Sequence, residues 1–193
     1  MKYTQEELDR LIASGQRPLW LNNADLSEAD LSGADLAEAR LLRTNLSGSN
    51  LSNADLSGAD LTYANLSRAN LVQTRLKAAA LSGATLTEAN LTEANLEEAD
   101  LSRALANQAN FTRADLVNVN FSEANLSESI FFQANLSQAN LSEANLMHAN
   151  LEQADLSRAN IREADLSQAR LDEAKLDGAD TEFAVMPDGT IDN

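Results

Sequence analysis

The sequence predicts an all-β solenoid, in which the chain is wound into stacked coils with one corner in every five residues. Three observations predict this fold. Leucine recurs every five residues, and 27 of the 32 central positions from Leu21 to Leu176 are Leu. Alanine stands two residues before a centre in 27 of 32 cases from Ala24 to Ala179, and Asn or Asp stands one residue before it in 24 of 32. Such strict internal repetition is typical of repeat architectures.

A period of five residues excludes both long helices and straight strands. An α-helix turns by about 100° per residue, so successive leucines would lie about 140° apart and form no apolar stripe. In a straight strand, an odd period would send each next leucine to the opposite face. The chain must therefore turn once in every pentad. Ala and Leu are two residues apart, so both point inward between two corners.

The remaining positions of the pentad are suited to corners. Short Asn, Asp, Ser and Thr side chains bond to nearby backbone in turns. Glycine is rare, with seven in the chain, so we expect that most corners do not require positive φ. Stacked coils lie about 4.8 Å apart, so equivalent side chains form columns. Asparagine columns can bond along the stack; the longest predicted column contains Asn50, Asn70, Asn90 and Asn110.

The A(D/N)Lxx repeat, as in Ala94-Asn95-Leu96-Glu97-Glu98, resembles that of the pentapeptide-repeat family, in particular its cyanobacterial members. The resemblance covers residues 19–182. It implies a right-handed, quadrilateral, parallel β-helix with four pentads in each coil. The chain then forms about eight coils and a rod of roughly 38 Å. We number the sides from the pentad of Leu21, which defines side one, and the next three pentads define sides two to four.

One helix is predicted, over residues 4–15. Thr4 and Glu7 form a capping-box pattern, Gly15 is a stop signal at the end of the segment, and Pro18 bars its continuation. A solenoid needs covers at its ends. We therefore expect residues 1–18 to form an N-terminal capping helix, with Leu19 and Trp20 closing the joint to the coils. Residues 183–193 are expected to form a C-terminal cap over the last coil.

The predicted columns contain a few irregular positions. Phe111 and Phe131 should stack on side three, because they are one coil apart. Ala106 is an undersized centre, and either neighbouring Phe rings fill the volume or an inward void remains. The weak pentad at 104–108 marks either drift of the repeat or a junction between two shorter units. Both alternatives stay open at this point.

Charge and composition exclude several classes of protein. The 193 residues carry a formal charge of −16 and no cysteine, which excludes a disulfide framework and thiolate metal sites. An acidic protein is poorly suited to direct binding of phosphate backbones. The first residues lack the apolar core of a signal peptide, and no apolar run approaches the roughly 20 residues of a membrane span. We expect a cytoplasmic protein without a membrane segment.

No catalytic, cofactor-binding or metal-binding residue is assigned, and no cofactor is expected. Catalysis needs polar groups that converge in a pocket, whereas the inward positions here are Ala and Leu. His148 is the only histidine and falls on an outward position. The sequence therefore predicts a protein that is not an enzyme.

Two sets of outward residues are candidates for binding a protein partner. Ile130 and Phe132 flank Phe131 and are apolar positions on side three. Their alternative interpretation is incidental packing along the coil. Glu123, Glu143 and Glu163 should line up on side one, with Arg103 at the start of the line. This stripe is either a solvated face or a site for a cation or a basic partner.

The most general function that fits these features is a protein-interaction or scaffold rod with an unknown partner. The resemblance implies one alternative, an acidic mimic of DNA that binds DNA gyrase or another DNA-binding protein. A charge of −16 over roughly 38 Å is about one charge per 2.4 Å, against one per about 1.7 Å in duplex DNA. The oligomeric state is not predicted. The C-terminal dimerisation helix of some relatives is not expected here.

Overall fold

The computed structural model describes residues 2–192, so Met1 and Asn193, the outermost residues of the two predicted caps, lie outside it. One helix, α1 (Gln5–Ala13), precedes a continuous stack of coils. Parallel bridges join each outward Asn or Asp position to the residue 20 positions later, from Trp20–Arg40 to Asp165–Val185. Four pentads therefore make one coil, as the resemblance implied. Each strand is a single bridge residue, because a corner follows within the same pentad.

Three backbone hydrogen bonds per pentad hold neighbouring coils together, as the pentad of Leu96 shows. The N–H of Leu96 donates to the C=O of Asp115 at 2.7 Å, and the N–H of Glu98 donates to the C=O of Val117 at 2.9 Å. In the other direction, the N–H of Asn95 donates to the preceding coil at 3.0 Å. Three of the five backbone N–H groups of a pentad are thus satisfied by neighbouring coils.

The corners differ from the expectation that we drew from the scarcity of glycine. We call the residue two after each centre the corner residue. All corner residues from Asn23 to Gly178 have φ between +54° and +71°, and only five of them are Gly. The expectation was therefore wrong. A bond such as Ala99 N–H to Leu96 C=O, at 2.9 Å, closes each corner as a β-turn whose third residue is left-handed.

The core is formed by the repeated Leu and Ala positions. Every centre from Leu21 to Leu166 is at most 2% exposed, so the predicted inward direction is confirmed. Four polar residues at the Ala position are also buried, and they donate to backbone carbonyls. The hydroxyl of Thr44, for example, donates to the C=O of Leu21 at 2.7 Å. Among residues 2–192, no buried side-chain polar atom lacks a partner.

Three phenylalanines form an aromatic cluster in the middle of the core. The rings of Phe111 and Phe131 stack with centroids 4.9 Å apart, as predicted from their spacing of one coil. Phe121 meets both rings edge-on, at 5.7 and 6.1 Å. Ala106 is completely buried in the pentad before Phe111. That the rings fill the volume beside Ala106 remains a prediction.

Helix α1 covers the first coil. Its capping box is confirmed, since the N–H of Thr4 donates to the Glu7 carboxylate at 2.8 Å and the Thr4 hydroxyl accepts from the Glu7 N–H. Leu8 is fully buried, and the other two apolar residues of this face pack partly against the core. Leu19 is buried at the joint, but Trp20 is 63% exposed, so the prediction that Trp20 closes the joint was wrong. Trp20 precedes a centre and points outward, as this position does in other pentads.

The repeat continues at the C-terminal end as far as Val185. Ala184 is fully buried, and Val185 forms a parallel bridge with Asp165. The chain then turns back, and Ile191 forms an antiparallel bridge with Val185. These residues cover sides one and two of the last coil. On sides three and four, Leu171 and Leu176 are only partly buried, and their N–H groups have no acceptor within residues 2–192. In the described part of the chain, no helix is long and apolar enough to cross a membrane.

Candidate functional site

The coil geometry places the two predicted sets of partner-binding residues on opposite faces. Ile130 and Phe132 belong to a pentad of side three, which bridges to the pentads of Asn110 and Asn150. Glu123 and its equivalents belong to side one. Sides one and three are two pentads apart in a coil of four. The two sets therefore do not form one site.

The apolar set on side three is partly accessible. Ile130 is 39% exposed, while Phe132 is half-buried and its C=O accepts the N–H of Arg113 at 2.9 Å. Leu105 is 48% exposed in the weak pentad on side two. Ile130 and Leu105 both replace the usual Asn or Asp before a centre, so they expose apolar surface where other coils present amides or carboxylates.

The acidic set on side one has the predicted alignment. Glu123, Glu143 and Glu163 are exposed corner residues. The backbone of Glu123 bonds to the coil of Glu143, and that of Glu143 to the coil of Glu163. Arg103 begins the column and donates two hydrogen bonds to the Glu123 carboxylate, at 2.8 and 3.0 Å. These bonds are the main reason that the pKa of Glu123 is lowered. Glu143 and Glu163 have no cation partner within residues 2–192.

The same corner column carries an arginine–tyrosine pair that the sequence analysis missed. The guanidinium carbon of Arg43 lies 5.8 Å from the centroid of the Tyr63 ring, and Tyr63 is 59% exposed. The ring leans over Gly83, where a Cβ would overlap it. The signal was present in the sequence, because Tyr63 is the only Phe, Tyr or Trp at a corner between 23 and 178.

Carboxylates and amides before the centres have mainly structural contacts. The hydroxyl of Ser27 donates to the Asp25 carboxylate at 2.7 Å, and the N–H of Ser27 donates to the same oxygen at 3.2 Å. These two bonds lower the pKa of Asp25. Corresponding contacts two residues along the chain recur at most of these positions. These carboxylates and amides are engaged in hydrogen bonds that stabilise the next corner. The side chains of the corner residues are therefore more available to a partner than they are.

Asparagine columns bond along the stack only in part. The side-chain amide of Asn70 donates to that of Asn50 at 3.0 Å, as predicted on side three. No equivalent bond joins Asn90 to Asn70 in the described part of the chain. On side one, Asn140 donates to Asn120 at 3.1 Å and accepts from the next amide of the column.

The histidine of the chain and the acidic corner residues lie on the surface of the described stack. His148 is an exposed corner residue with φ of +60°. Among residues 2–192, no group of three or more His, Asp or Glu side chains is placed to hold a metal ion. The side chains on the surface are arranged in ordered columns, with one residue per coil.

Comparison with known proteins connects this geometry to a family. A family model described as pentapeptide repeats (8 copies) matches residues 24–62, 39–77 and 69–105, and one described as a pentapeptide repeat region matches residues 107–181. HetL, a pentapeptide repeat protein involved in heterocyst differentiation regulation from the cyanobacterium Nostoc sp. strain PCC 7120, is 34% identical. That match covers 100% of both chains, with a TM-score of 0.39.

QnrB1, a plasmid-mediated fluoroquinolone resistance protein, shares the fold. It is 18% identical, the match covers 84% of this chain and 88% of QnrB1, and the TM-score is 0.62. The curated proteins contain no match to the chain. The solved relatives imply a right-handed, quadrilateral β-helix. Together with the 34% identity to HetL over both full chains, the family models show that this chain belongs to the pentapeptide-repeat family.

Proposed function

We propose that this chain is a non-catalytic scaffold that binds protein partners through columns of outward side chains. One observation carries the proposal: backbone hydrogen bonds hold equivalent corner residues in line from coil to coil over the whole stack. Because these hydrogen bonds already order the backbone, binding a partner costs little additional backbone entropy. HetL is involved in heterocyst differentiation regulation, and QnrB1, which shares the fold, is a fluoroquinolone resistance protein.

The apolar pair on side three is the first candidate surface. Ile130 and Phe132 put accessible apolar area beside otherwise polar columns, and a partner gains by removing that area from water. The acidic column of Glu123, Glu143 and Glu163 is the second candidate, for a basic partner. The two surfaces are on opposite sides, so each can be altered without touching the other.

A pull-down from extracts of the native cell tests this proposal. The double variant Ile130→Asp and Phe132→Asp should lose a partner that binds side three. Val72→Asp is the matched control, because Val72 is a half-buried residue that follows a centre on side three, like Phe132, but lies three coils away. The triple variant of Glu123, Glu143 and Glu163 to Gln should instead lose a basic partner. Retention of every captured protein by both variants would contradict these surfaces.

A DNA mimic is the second candidate function, and the observation that favours it is the charge. The formal charge of −16 is distributed over all four sides of the coils, so the rod presents acidic groups in every direction. Inhibition of DNA supercoiling by gyrase, weakening as salt is raised, would support mimicry. Unaltered supercoiling at a large excess of the protein would exclude gyrase as the target.

A further inference from the structure

The exposed Tyr63 ring occupies a position where the backbone disfavours it. Its φ is +56°, and bulky side chains rarely adopt the left-handed region. The corner itself needs no aromatic ring, because it is closed by backbone bonds: Tyr63 N–H donates to Ser82 C=O at 3.0 Å, and Ala64 N–H donates to Leu61 C=O at 2.9 Å. Every corner of the stack has this conformation, so what distinguishes Tyr63 is its exposed aromatic ring.

Arg43 also differs from most arginines of the stack in its partner. Most arginines of the stack pair with a carboxylate of a neighbouring coil; examples are Arg68 with Glu88, Arg75 with Asp55, and Arg103 with Glu123. The guanidinium of Arg43 has no such partner within residues 2–192 and lies instead over the Tyr63 ring. The Tyr63 hydroxyl has no hydrogen bond in the same range. Within residues 2–192, the Arg43 guanidinium thus lies over an exposed ring without a carboxylate partner, and the Tyr63 hydroxyl has no acceptor.

We propose that Arg43 and Tyr63 form a docking point for a short, carboxylate-bearing segment of a partner protein. The inference rests on the proposed scaffold function and names the chemistry of one contact. A carboxylate accepts two parallel N–H bonds from a guanidinium, and the Tyr63 hydroxyl is a further donor in the same column. The ring supplies flat apolar area, and Tyr and Arg are the residue types that dominate protein interfaces.

The rest of the column limits the length of the ligand. C-terminal to Tyr63, the column continues through Gly83 and the paired Arg103 to the acidic stripe that begins at Glu123. A long polyanion such as single-stranded nucleic acid would meet these carboxylates within a few coils, and like charges repel. A short acidic peptide contacts only the cationic end. The structure therefore favours a protein segment over a nucleic acid.

Titration of the isotope-labelled full chain, followed by NMR, tests the proposal. The probe is a short peptide with two glutamates beside one leucine, and its control replaces both glutamates by glutamine. A short oligothymidylate is the nucleic-acid arm. The glutamate peptide should shift the resonances of Arg43, Tyr63 and Gly83 most strongly, and the glutamine peptide should not.

Two pairs of variants separate recognition from folding. Arg43→Gln and Tyr63→Ala should each lower the affinity for the glutamate peptide about tenfold. Gly83→Ala should lower this affinity as well, because the new methyl group displaces the Tyr63 ring. Arg158→Gln and Gly58→Ala are the matched controls: Arg158 is an exposed corner arginine without an aromatic contact among residues 2–192, and a Cβ at Gly58 meets only ordinary contacts. Ala78 shows that alanine is accommodated at a corner with φ of +55°.

Several results would overturn the docking point. These are no shift at Arg43 and Tyr63, equal weakening by the control variants, or binding of the oligothymidylate alone with dependence on Tyr63. Failure here is distinguishable from failure of the scaffold function, because capture of a partner through Ile130 and Phe132 on side three is measured independently. A partner lost from the side-three variant, together with no peptide-induced shift at Arg43 and Tyr63, would leave the scaffold in place and remove this inference.

Discussion

The side chain of Gln5 forms two hydrogen bonds with the backbone of Asp30, as a peptide group of a preceding coil would. Its Nε2 donates to the C=O of Asp30 at 2.6 Å, and its Oε1 accepts the N–H of Asp30 at 3.0 Å. Lys2 pairs with Asp25 on the adjacent side. The first coil therefore has its open edge covered by residues at the start of α1.

Replacing Gln5 by Glu should remove the donor to Asp30 and set a carboxylate against its carbonyl oxygen. We expect a loss of about 1 kcal/mol in local stability. Faster hydrogen exchange of the Asp30 amide is the measurement. Gln168→Glu is the control, since the exposed Gln168 side chain makes no hydrogen bond in the described residues. Unchanged exchange at Asp30 in the Gln5 variant would contradict the capping role.

β-Branched residues should destabilise the protein when they are placed at a corner. Gln138 is an exposed corner residue with φ of +62° and no side-chain hydrogen bond within residues 2–192. Gln138→Val should lower the free energy of unfolding by about 1–2 kcal/mol, whereas Gln138→Gly should be neutral or stabilising. Urea unfolding of both variants measures the difference. Equal stability of the two variants would mean that the left-handed corner imposes no constraint.

A charge at a centre should disrupt the stack. Leu96 is fully buried, so Leu96→Lys places an ammonium group without a partner in an apolar core. Neighbouring coils should unfold, seen as a lower melting temperature by circular dichroism and as rapid amide exchange around residues 76–116. Glu98→Lys, at an exposed corner of the same pentad, should melt like the unaltered protein. Wild-type melting of the Leu96 variant would count against an apolar core at this level.

The contact between Ser27 and Asp25 predicts a pH effect. The folded-state pKa of Asp25 is lowered, chiefly by the hydroxyl of Ser27. Its contribution to stability is therefore present above the unfolded-state pKa of about 3.9 and is lost as pH falls through the folded-state pKa. Ser27→Ala should raise the pKa of Asp25, followed by NMR of the carboxyl carbon. Ser142→Ala, next to an asparagine column, should leave that pKa unaltered.

The coil and its core were predictable from the sequence because the leucine period is incompatible with any straight element. The stacking of Phe111 on Phe131 followed from the same spacing. The left-handed corners were not predicted, since we took scarce glycine as evidence against positive φ. Glu, Gln, Arg and Asn tolerate this conformation where a turn bond and the bonds to the next coil enforce it. The signal was the lack of β-branched residues at every corner.

The candidate surfaces were predictable only in part. Outward direction follows from the position in the pentad, which identified Ile130 and Glu123 and also applied to Trp20. The cap by Gln5 and the pairing of Arg43 with Tyr63 depend on side-chain conformations across coils or from a different element. Position in the repeat alone does not carry that information.

The pairing of residues 20 apart has a consequence for how such a rod changes during evolution. Duplication of one whole coil lengthens the molecule and leaves every downstream column on its original face. Insertion of a single pentad instead rotates everything after it by a quarter turn, which would move Ile130 and Phe132 from side three to side four. Length and the relative bearing of two binding faces can therefore be altered separately, by insertions of different size.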